Sequence, residues 1–294
     1  MRQRLVILTR PSAKRAFVER YGGSEGQTRF VMAQSARGRV DFDRALTDDT
    51  VQSRAVTTIR KALPDSLKLV EIDRAMVAQF LFEPHDLVAA VGQDGLVANV
   101  GKYLDGQPLA GVNPDPEHID GALLPFTADT FIRALPDLVS DRRPVREATL
   151  ASAQTSDRQT LHGLNEIFLG VPNHQSARYR ILHAGKDELQ SSSGLIVSTG
   201  TGSTGWLRSL LGDKAPFDPA ADKLHFVVRE AWPGRGFAAT LLDGEVTREN
   251  PLVIESRMDA GAIFADGIES DPLRFDAGVT VTIAPSERRV RLVQ

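Results

Sequence analysis

Cysteine is absent from the 294-residue chain. Disulfides and thiolate metal sites are therefore excluded, and a reducing compartment, the cytoplasm, is the expected location. The six histidines are scattered with no pair at helical ligand spacing, so no resident metal site is expected. Long apolar runs are also missing. None approaches the ~20 residues that a membrane-crossing helix needs. Leu5-Val-Ile-Leu8 ends at once in Thr9, Arg10 and Pro11. It is too short for the core of a signal peptide and reads as the first strand, with no leader expected before it. Excess charge is lacking too: the formal net charge of -3 argues against a nucleic-acid partner but leaves room for a small basic phosphate pocket.

What is present is an ordinary globular balance, 41% hydrophobic and 25% charged residues. The length fits one large or two ordinary domains. The first part alternates strand-like and helix-like stretches. Leu5 to Leu8, Leu67 to Ile72, Leu87 to Val91 and Leu109 to Val112 read as buried strands. Ser12 to Arg20 and Asp49 to Leu63 read as helices, the second with Val51, Ala55, Ile59 and Leu63 on one face. Continuous apolar runs separated by helices point to a parallel sheet covered on both faces. The polar stretch from Gly22 to Asp48 carries no assignable pattern. Beyond a helix expected at Thr127 to Val139 the regime changes. Leu224, Phe226 and Val228 alternate with other residues, as do Val281 and Ile283, then Val290 and Leu292. Short strands with turn signals imply an antiparallel, β-rich region. The expected division is residues 1–140, α/β, and 141–294, β-rich.

Five segments carry candidate chemistry. Val91-Gly-Gln-Asp-Gly95 follows a buried strand, where ligands of open α/β sheets bind and a helix start favours phosphate. Gly92 and Gly95 let the backbone approach a ligand, and Asp94 could accept a hydroxyl proton or help bind Mg²⁺. An ordinary βα turn with Asp94 capping the helix is the alternative. Gly111-Val-Asn113 places an amide at the next strand end, for a ligand or for fixing its own loop. Asn165 and Glu166 precede the apolar Ile167-Phe-Leu169; a paired amide and carboxylate suits two adjacent hydroxyls, as on a ribose. A solvated strand start is the plainer reading. Ala265-Asp266-Gly267 reads simply as a turn.

The fourth segment in chain order is the richest. Gly200-Thr-Gly-Ser-Thr-Gly205 fits G-x-G-x-x-G, follows Leu195 to Val197 and precedes the helix-like WLRSLL. This is the dinucleotide fingerprint in its expected context, with Glu230 as a possible ribose acid. An NAD-dependent oxidoreductase is thereby raised. It fails because strand upon strand follows, where a Rossmann half needs further βα units. The segment is better read as a glycine-rich turn presenting the hydroxyls of Thr199, Thr201, Ser203 and Thr204.

Taken in order, these pieces resemble the NAD kinase family. Its GGDGT turn, GVN segment, NE pair, TPTGSTAY motif and late DG stand here as GQDGL (Gly92 to Leu96), GVN (Gly111 to Asn113), Asn165–Glu166, TGTGSTGW (Thr199 to Trp206) and Asp266–Gly267. GVNPDPEHIDGALLP, LNEIFLG, SSGLIVSTGTGS and Trp206 look most like the mitochondrial-type branch. The resemblance implies a Rossmann-like N-terminal domain, a β-rich sandwich-like C-terminal domain and a cleft site. It implies ATP-dependent phosphorylation of the adenosine-ribose 2′-hydroxyl of NAD, with Mg²⁺ accompanying ATP. Asp94 would be the catalytic base. Gly92, Gly95, Asn113, Asn165, Glu166, Thr199, Thr201, Gly202, Ser203, Thr204, Gly205, Trp206, Asp266 and Gly267 would bind the nucleotides. A homo-oligomer, a dimer, is expected.

The chain departs from the family pattern at four positions. Gln93 replaces a glycine; were its backbone left-handed, it would cost about 1–2 kcal/mol. Leu96 replaces a threonine hydroxyl that could face phosphates. Ser193 and Ile268 stand where Asp and Gln are usual. These motivate two other readings, a dinucleotide sensor of the same fold and a kinase of another hydroxyl substrate such as a lipid.

Overall fold

In a computed structural model, residues 2–21 and 23–294 are described, without the side chains of Ala13, Ala36 and residues 268–271. Gly22 and the side chain of Ile268, both singled out above, lie outside that description. The chain forms two compact units: Met1–Val100 with Gln107–Val145 and Leu292–Gln294, and Gly101–Gly106 with Arg146–Arg291. The final three residues thus return to the first unit.

The apolar runs of the first unit become the parallel strands β1 (Arg4–Thr9), β2 (Lys68–Asp73), β3 (Asp86–Val91) and β4 (Pro108–Val112), in the order β2-β1-β3-β4. β3 and β4 are buried at every position, as a strand covered on both faces must be. Around them lie α1 (Ala13–Tyr21), α2 (Glu25–Met32), α3 (Ala36–Lys61), α4 (Asp94–Gly101) and α5 (Ala128–Val139). Val56 and Ile59 of α3 and Phe131, Leu135 and Leu138 of α5 pack with Leu5, Ile7, Leu87 and Ala89 in one core. Each such fully buried side chain contributes roughly 1.5–3 kcal/mol. Thr127 closes the start of α5 with a reciprocal cap to Thr130.

Residues 23–48, unassigned from the sequence, are mostly helical. α3 begins at Ala36, capped by Ser35, and not at Asp49 as the apolar stripe implied. Among the described residues of its first half only Gly38, Phe42 and Ala45 are buried, and a glycine and an alanine are too weakly apolar to mark a face in the sequence.

Apart from Val145, Leu292 and Val293, the second unit holds β5 (Val145–Thr155), β6 (Thr160–Gly163), β7 (Glu166–Gly170), β8 (Ala177–His183), β9 (Lys186–Ser192), β10 (Leu195–Ser198), β11 (Leu224–Val228), β12 (Asp243–Val246), β13 (Leu252–Ser256), β14 (Ala262–Ala265), β15 (Ile268–Arg274) and β16 (Thr280–Val293). One layer runs β16-β13-β8-β9, with β5 on β16 and β6 on β5; the other runs β12-β11-β10-β7-β14-β15. Their core joins Tyr179, Ile181, Ile254 and Ile283 to Ile167, Leu169, Leu195, Val197 and Phe226. Alternation turns Phe168 and Ile196 to the opposite face, where Leu207 of α6 (Trp206–Leu211) covers them. The two strands expected at 281–283 and 290–292 are one. The phase of burial shifts at Pro285 and Ser286, both buried, and this interrupts the alternation that would have marked a single strand.

Candidate functional site

In the first unit the site is built on the β3–α4 turn. Gly92 N–H donates to Val112 O at 3.0 Å, tying the turn to β4. Asp94 opens α4, yet its carboxylate reaches another segment: Ala122 N–H and Leu123 N–H donate to it at 2.9 and 2.8 Å. Gly111 makes this loop possible, because a Cβ there would lie 1.9 Å from Leu123 O. Asn113 fixes the same loop from its base, donating to Ile119 O at 2.8 Å and accepting from Asp115 N–H at 2.9 Å. The half-buried Asp94 carboxylate is thus aimed by main-chain donors, with lone pairs left for a ligand.

The departures at this turn are benign. Gln93 is not among the residues at positive φ, so the strain attached to that backbone state does not arise. Leu96 is buried, and a Cβ on Gly92 would meet its Cδ2 at 3.0 Å; the position is used for packing. Gly95 is exposed, with nothing within 4 Å of where its Cβ would be. Arg10 and Lys14 border a cavity of about 940 Å³ with Ser12, Asp49 and Asp73. They pair with Asp48 at 3.0 Å and Glu25 at 2.6 Å.

In the second unit three segments distant in sequence are tied together. Asn165 O accepts from Thr199 N–H at 2.9 Å, and Thr199 Oγ1 donates to Leu164 O. The same hydroxyl accepts from Thr201 N–H at 3.1 Å and Gly202 N–H at 3.3 Å, folding the glycine-rich turn on itself. Asp266 closes the assembly: its carboxylate accepts from Leu164, Asn165 and Glu166 N–H at 2.9, 2.7 and 3.3 Å. Gly267 follows at φ 69°. Ser203 is buried and structural, donating to Gly200 O and accepting from Phe217 N–H. Thr204 and Gly205 are exposed, and Thr201 Oγ1 is buried without a partner among the described residues.

Electrostatics set Glu166 apart. Burial, with Asp266 beside it, pushes its carboxyl up to about 7. Burial also raises Asp266, against the opposing pull of its backbone donors and of Lys102. By strand alternation Glu166 shares its face with Phe168. Trp206 stacks on Phe168 with ring centroids 5.9 Å apart, and the Arg229 guanidinium lies 5.2 Å from the Trp206 ring centre. With Val171, Phe264 and neighbours these residues line a cavity of about 280 Å³. One sheet face therefore offers a polar end at Glu166 and an aromatic, cationic end at Trp206.

Glu230 follows β11 at φ 41°, exposed and beside Arg229, and contacts neither the turn nor the NE pair in any hydrogen bond. Phe168, Arg229 and Lys102 escaped the sequence reading. Alternation along β7 could have exposed Phe168; nothing local marks the other two. Among the described residues no group of three carboxylate or histidine side chains forms a metal cage. Asp94, a single oriented carboxylate, fits the chemistry of Mg²⁺ carried largely by nucleotide phosphates. No helix among the described residues is long and apolar enough to cross a membrane.

No family model matches the chain. It is similar to an NAD kinase of Clostridium tetani (strain Massachusetts / E88), 27% identical over 177 residues, covering 56% of this chain. The match spans 64% of that relative's own length, just under two thirds. Among solved structures, it resembles an NAD kinase from Archaeoglobus fulgidus in complex with ATP, with a TM-score of 0.61 and 16% identity over 99% of this chain and 93% of that one. It also resembles yeast NADH kinase complexed with NADH, with a TM-score of 0.66 and 14% identity over 99% and 83% of the two chains. The fold is therefore that of these kinases: an α/β unit with a parallel sheet and a β-rich unit.

Proposed function

We propose that this protein is an NAD kinase, transferring the γ-phosphoryl group of ATP to the 2′-hydroxyl of the adenosine ribose of NAD. The observation that carries the reading is the joining of Asn165–Glu166, the Thr199–Gly205 turn and Asp266 by main-chain hydrogen bonds. A diol-binding pair beside a hydroxyl-rich turn, continued by an aromatic face, suits an elongated dinucleotide better than a lipid. The relatives that share the fold include kinases bound to ATP and to NADH.

In this reading Asn165 and Glu166 hold the ribose, and Thr201 to Trp206 line the dinucleotide's path. Asp94 accepts the 2′-hydroxyl proton as the ribose oxygen bonds to Pγ and the Pγ–O bond to the β-phosphate breaks, releasing ADP. Mg²⁺ bound with the triphosphate supplies charge neutralisation on the phosphates. What the chain contributes is position: phosphoryl transfer depends on alignment and electrostatics more than on covalent chemistry. Gly92, Gly95 and Asn113 serve the triphosphate end, as binding backbone and as loop support. We assign the protein to the cytoplasm and to a homo-oligomer, a dimer. Within the family, GVNPDPEHIDGALLP and SSGLIVSTGTGS support a place nearest the mitochondrial-type branch.

The test is incubation with NAD, ATP and Mg²⁺, with NADP detected by an NADP-specific dehydrogenase. NADP is expected. Tight NAD binding without product would replace the kinase reading by a sensor, and no dinucleotide binding would remove both.

A further inference from the structure

A polar chain runs through the apolar core of the second unit. Tyr179 of β8 is buried among side chains of both layers, with Gln190 and Ser192 of β9 buried beside it. Hydrogen-bond chemistry gives this chain one direction. Gln190 Nε2 donates to Glu188 Oε2 and to Leu241 O, both at 2.9 Å. The Leu241 carbonyl can only accept, so the amide oxygen of Gln190 is the atom turned to Tyr179. The Tyr179 hydroxyl therefore donates to Gln190 Oε1 at 3.2 Å and accepts from the Ser192 hydroxyl at 2.8 Å. Ser192 Oγ in turn accepts from Gly194 N–H at 3.0 Å. Gly194 is where the chain meets the aromatic face. It adopts φ 87°, and a Cβ there would lie 2.5 Å from Leu169 O and 2.9 Å from Phe168 Cζ. A Cβ on Gly170 would lie 2.6 Å from the same ring atom, so Phe168 is slotted against two bare stretches of backbone. Gly194 O also accepts from Arg229 N–H at 2.8 Å, and Ser193 N–H donates to Arg229 O at 2.9 Å.

We propose that Tyr179 and Ser192 are positioning residues of the Phe168–Trp206–Arg229 face, setting through Gly194 the surface on which a flat ring of the dinucleotide stacks. This rests on the assignment of a dinucleotide to that face. A fully satisfied polar chain in a core admits one arrangement of its members, where apolar packing alone tolerates several. Here the member at its end is a glycine wedged on a ring. Trp206 stacks on Phe168 at 5.9 Å, and the Arg229 guanidinium lies 5.2 Å from the Trp206 ring centre. A displacement of Gly194 therefore reaches Phe168 by contact and Arg229 by its main-chain bonds, and Trp206 lies between the two. Ring contacts weaken steeply with small gaps, so the stacking surface depends on where Gly194 is held. The far end of the chain is anchored as well: the Glu188 carboxylate accepts from Thr240 and Leu241 N–H, both at 3.2 Å.

The experiment uses the full chain carrying Trp232→Phe, which leaves Trp206 as its sole tryptophan. Trp206 emission, Tm, and NAD and ATP affinities are compared across Tyr179→Phe, Ser192→Ala and Ile181→Val. The last is a core variant on the strand of Tyr179 but outside the polar chain. Tyr179→Phe keeps the ring and strands Gln190 Oε1, while Ser192→Ala cuts the link to Gly194. Both are expected to shift Trp206 emission to the red and to weaken NAD binding about three- to tenfold, with ATP affinity unchanged. Ile181→Val is expected to lower the Tm with neither effect, which separates positioning from a general loss of stability. Native emission in both polar variants overturns the proposal; so does native NAD affinity in both, or an equal loss in Ile181→Val. If Tyr179→Phe does not fold, Ser192→Ala decides. A red shift in the polar variants of a protein that binds no NAD would refute the dinucleotide reading and leave the positioning of Trp206 in place.

Discussion

The main-chain oxygen of Asn165 lies 2.2 Å from where a Cβ on Gly202 would sit. The glycine-rich turn and the segment entering β7 thus touch backbone to backbone. No side chain fits between them, and the obstructing atom is main chain, which cannot swing aside. Gly202→Ala is expected to lower stability by about 1–3 kcal/mol, read as a lower Tm, through overpacking. NAD affinity should fall at least tenfold, because the turn and the NE pair are pushed apart together. An alanine variant with native Tm and native affinity would show that the contact is not required.

Asp94 is held by Ala122 and Leu123 N–H at 2.9 and 2.8 Å. Asparagine keeps one acceptor oxygen in that cradle but cannot take a proton from a hydroxyl. Asp94→Asn is expected to reduce kcat for NADP formation by about 10²–10⁴, the usual contribution of a general base. NAD affinity should stay within about threefold, and the lost hydrogen bond should lower stability by about 1 kcal/mol. Activity within tenfold of the native enzyme would remove Asp94 from the role of base.

Glu166 links stability to pH with a definite sign. Its carboxyl is raised from an ordinary 4.5 to about 7 in the folded chain. Below 4.5 it is neutral both folded and unfolded and has no effect. Above 7 it is ionised in both, and the folded state bears the full burden of the buried charge. Stability is therefore lost as pH rises from 4.5 to about 7, by on the order of 3 kcal/mol from this group. Glu166→Gln should raise the Tm at pH 8 and leave it nearly unchanged at pH 4.5, while weakening NAD binding. Thermal unfolding of both proteins at the two pH values checks the sign.

The strands of the parallel sheet were legible because burial on both faces writes continuous apolar runs, as in Leu87 to Val91. The helix expected at Thr127 to Val139 was legible to within one residue, and the structure makes Thr127 its cap. The first half of α3 was not, since among its described residues only Gly38, Phe42 and Ala45 are buried, and just one of these is a large apolar side chain. β16 read as two strands because its phase changes at Pro285 and Ser286. At the site, Asp94 was legible as a carboxylate after a strand, but not its cradle at Ala122 and Leu123. Asp266 read as a simple turn residue; its grip on Leu164, Asn165 and Glu166 joins positions about a hundred apart in the chain.

The sequence by itself determined the fold class and the identity of the chemical groups: periodicity and turn chemistry are local, and they name strands, glycines, hydroxyls and carboxylates in order. Tertiary structure decided what those groups do to each other. Only folding brings Asp266 beside Glu166, shuts both away from water and so shifts their ionisation, and only folding turns Gly202 into a contact surface. Hydrogen-bond partners, burial and pKa depend on distances in space, which a linear order of residues does not contain.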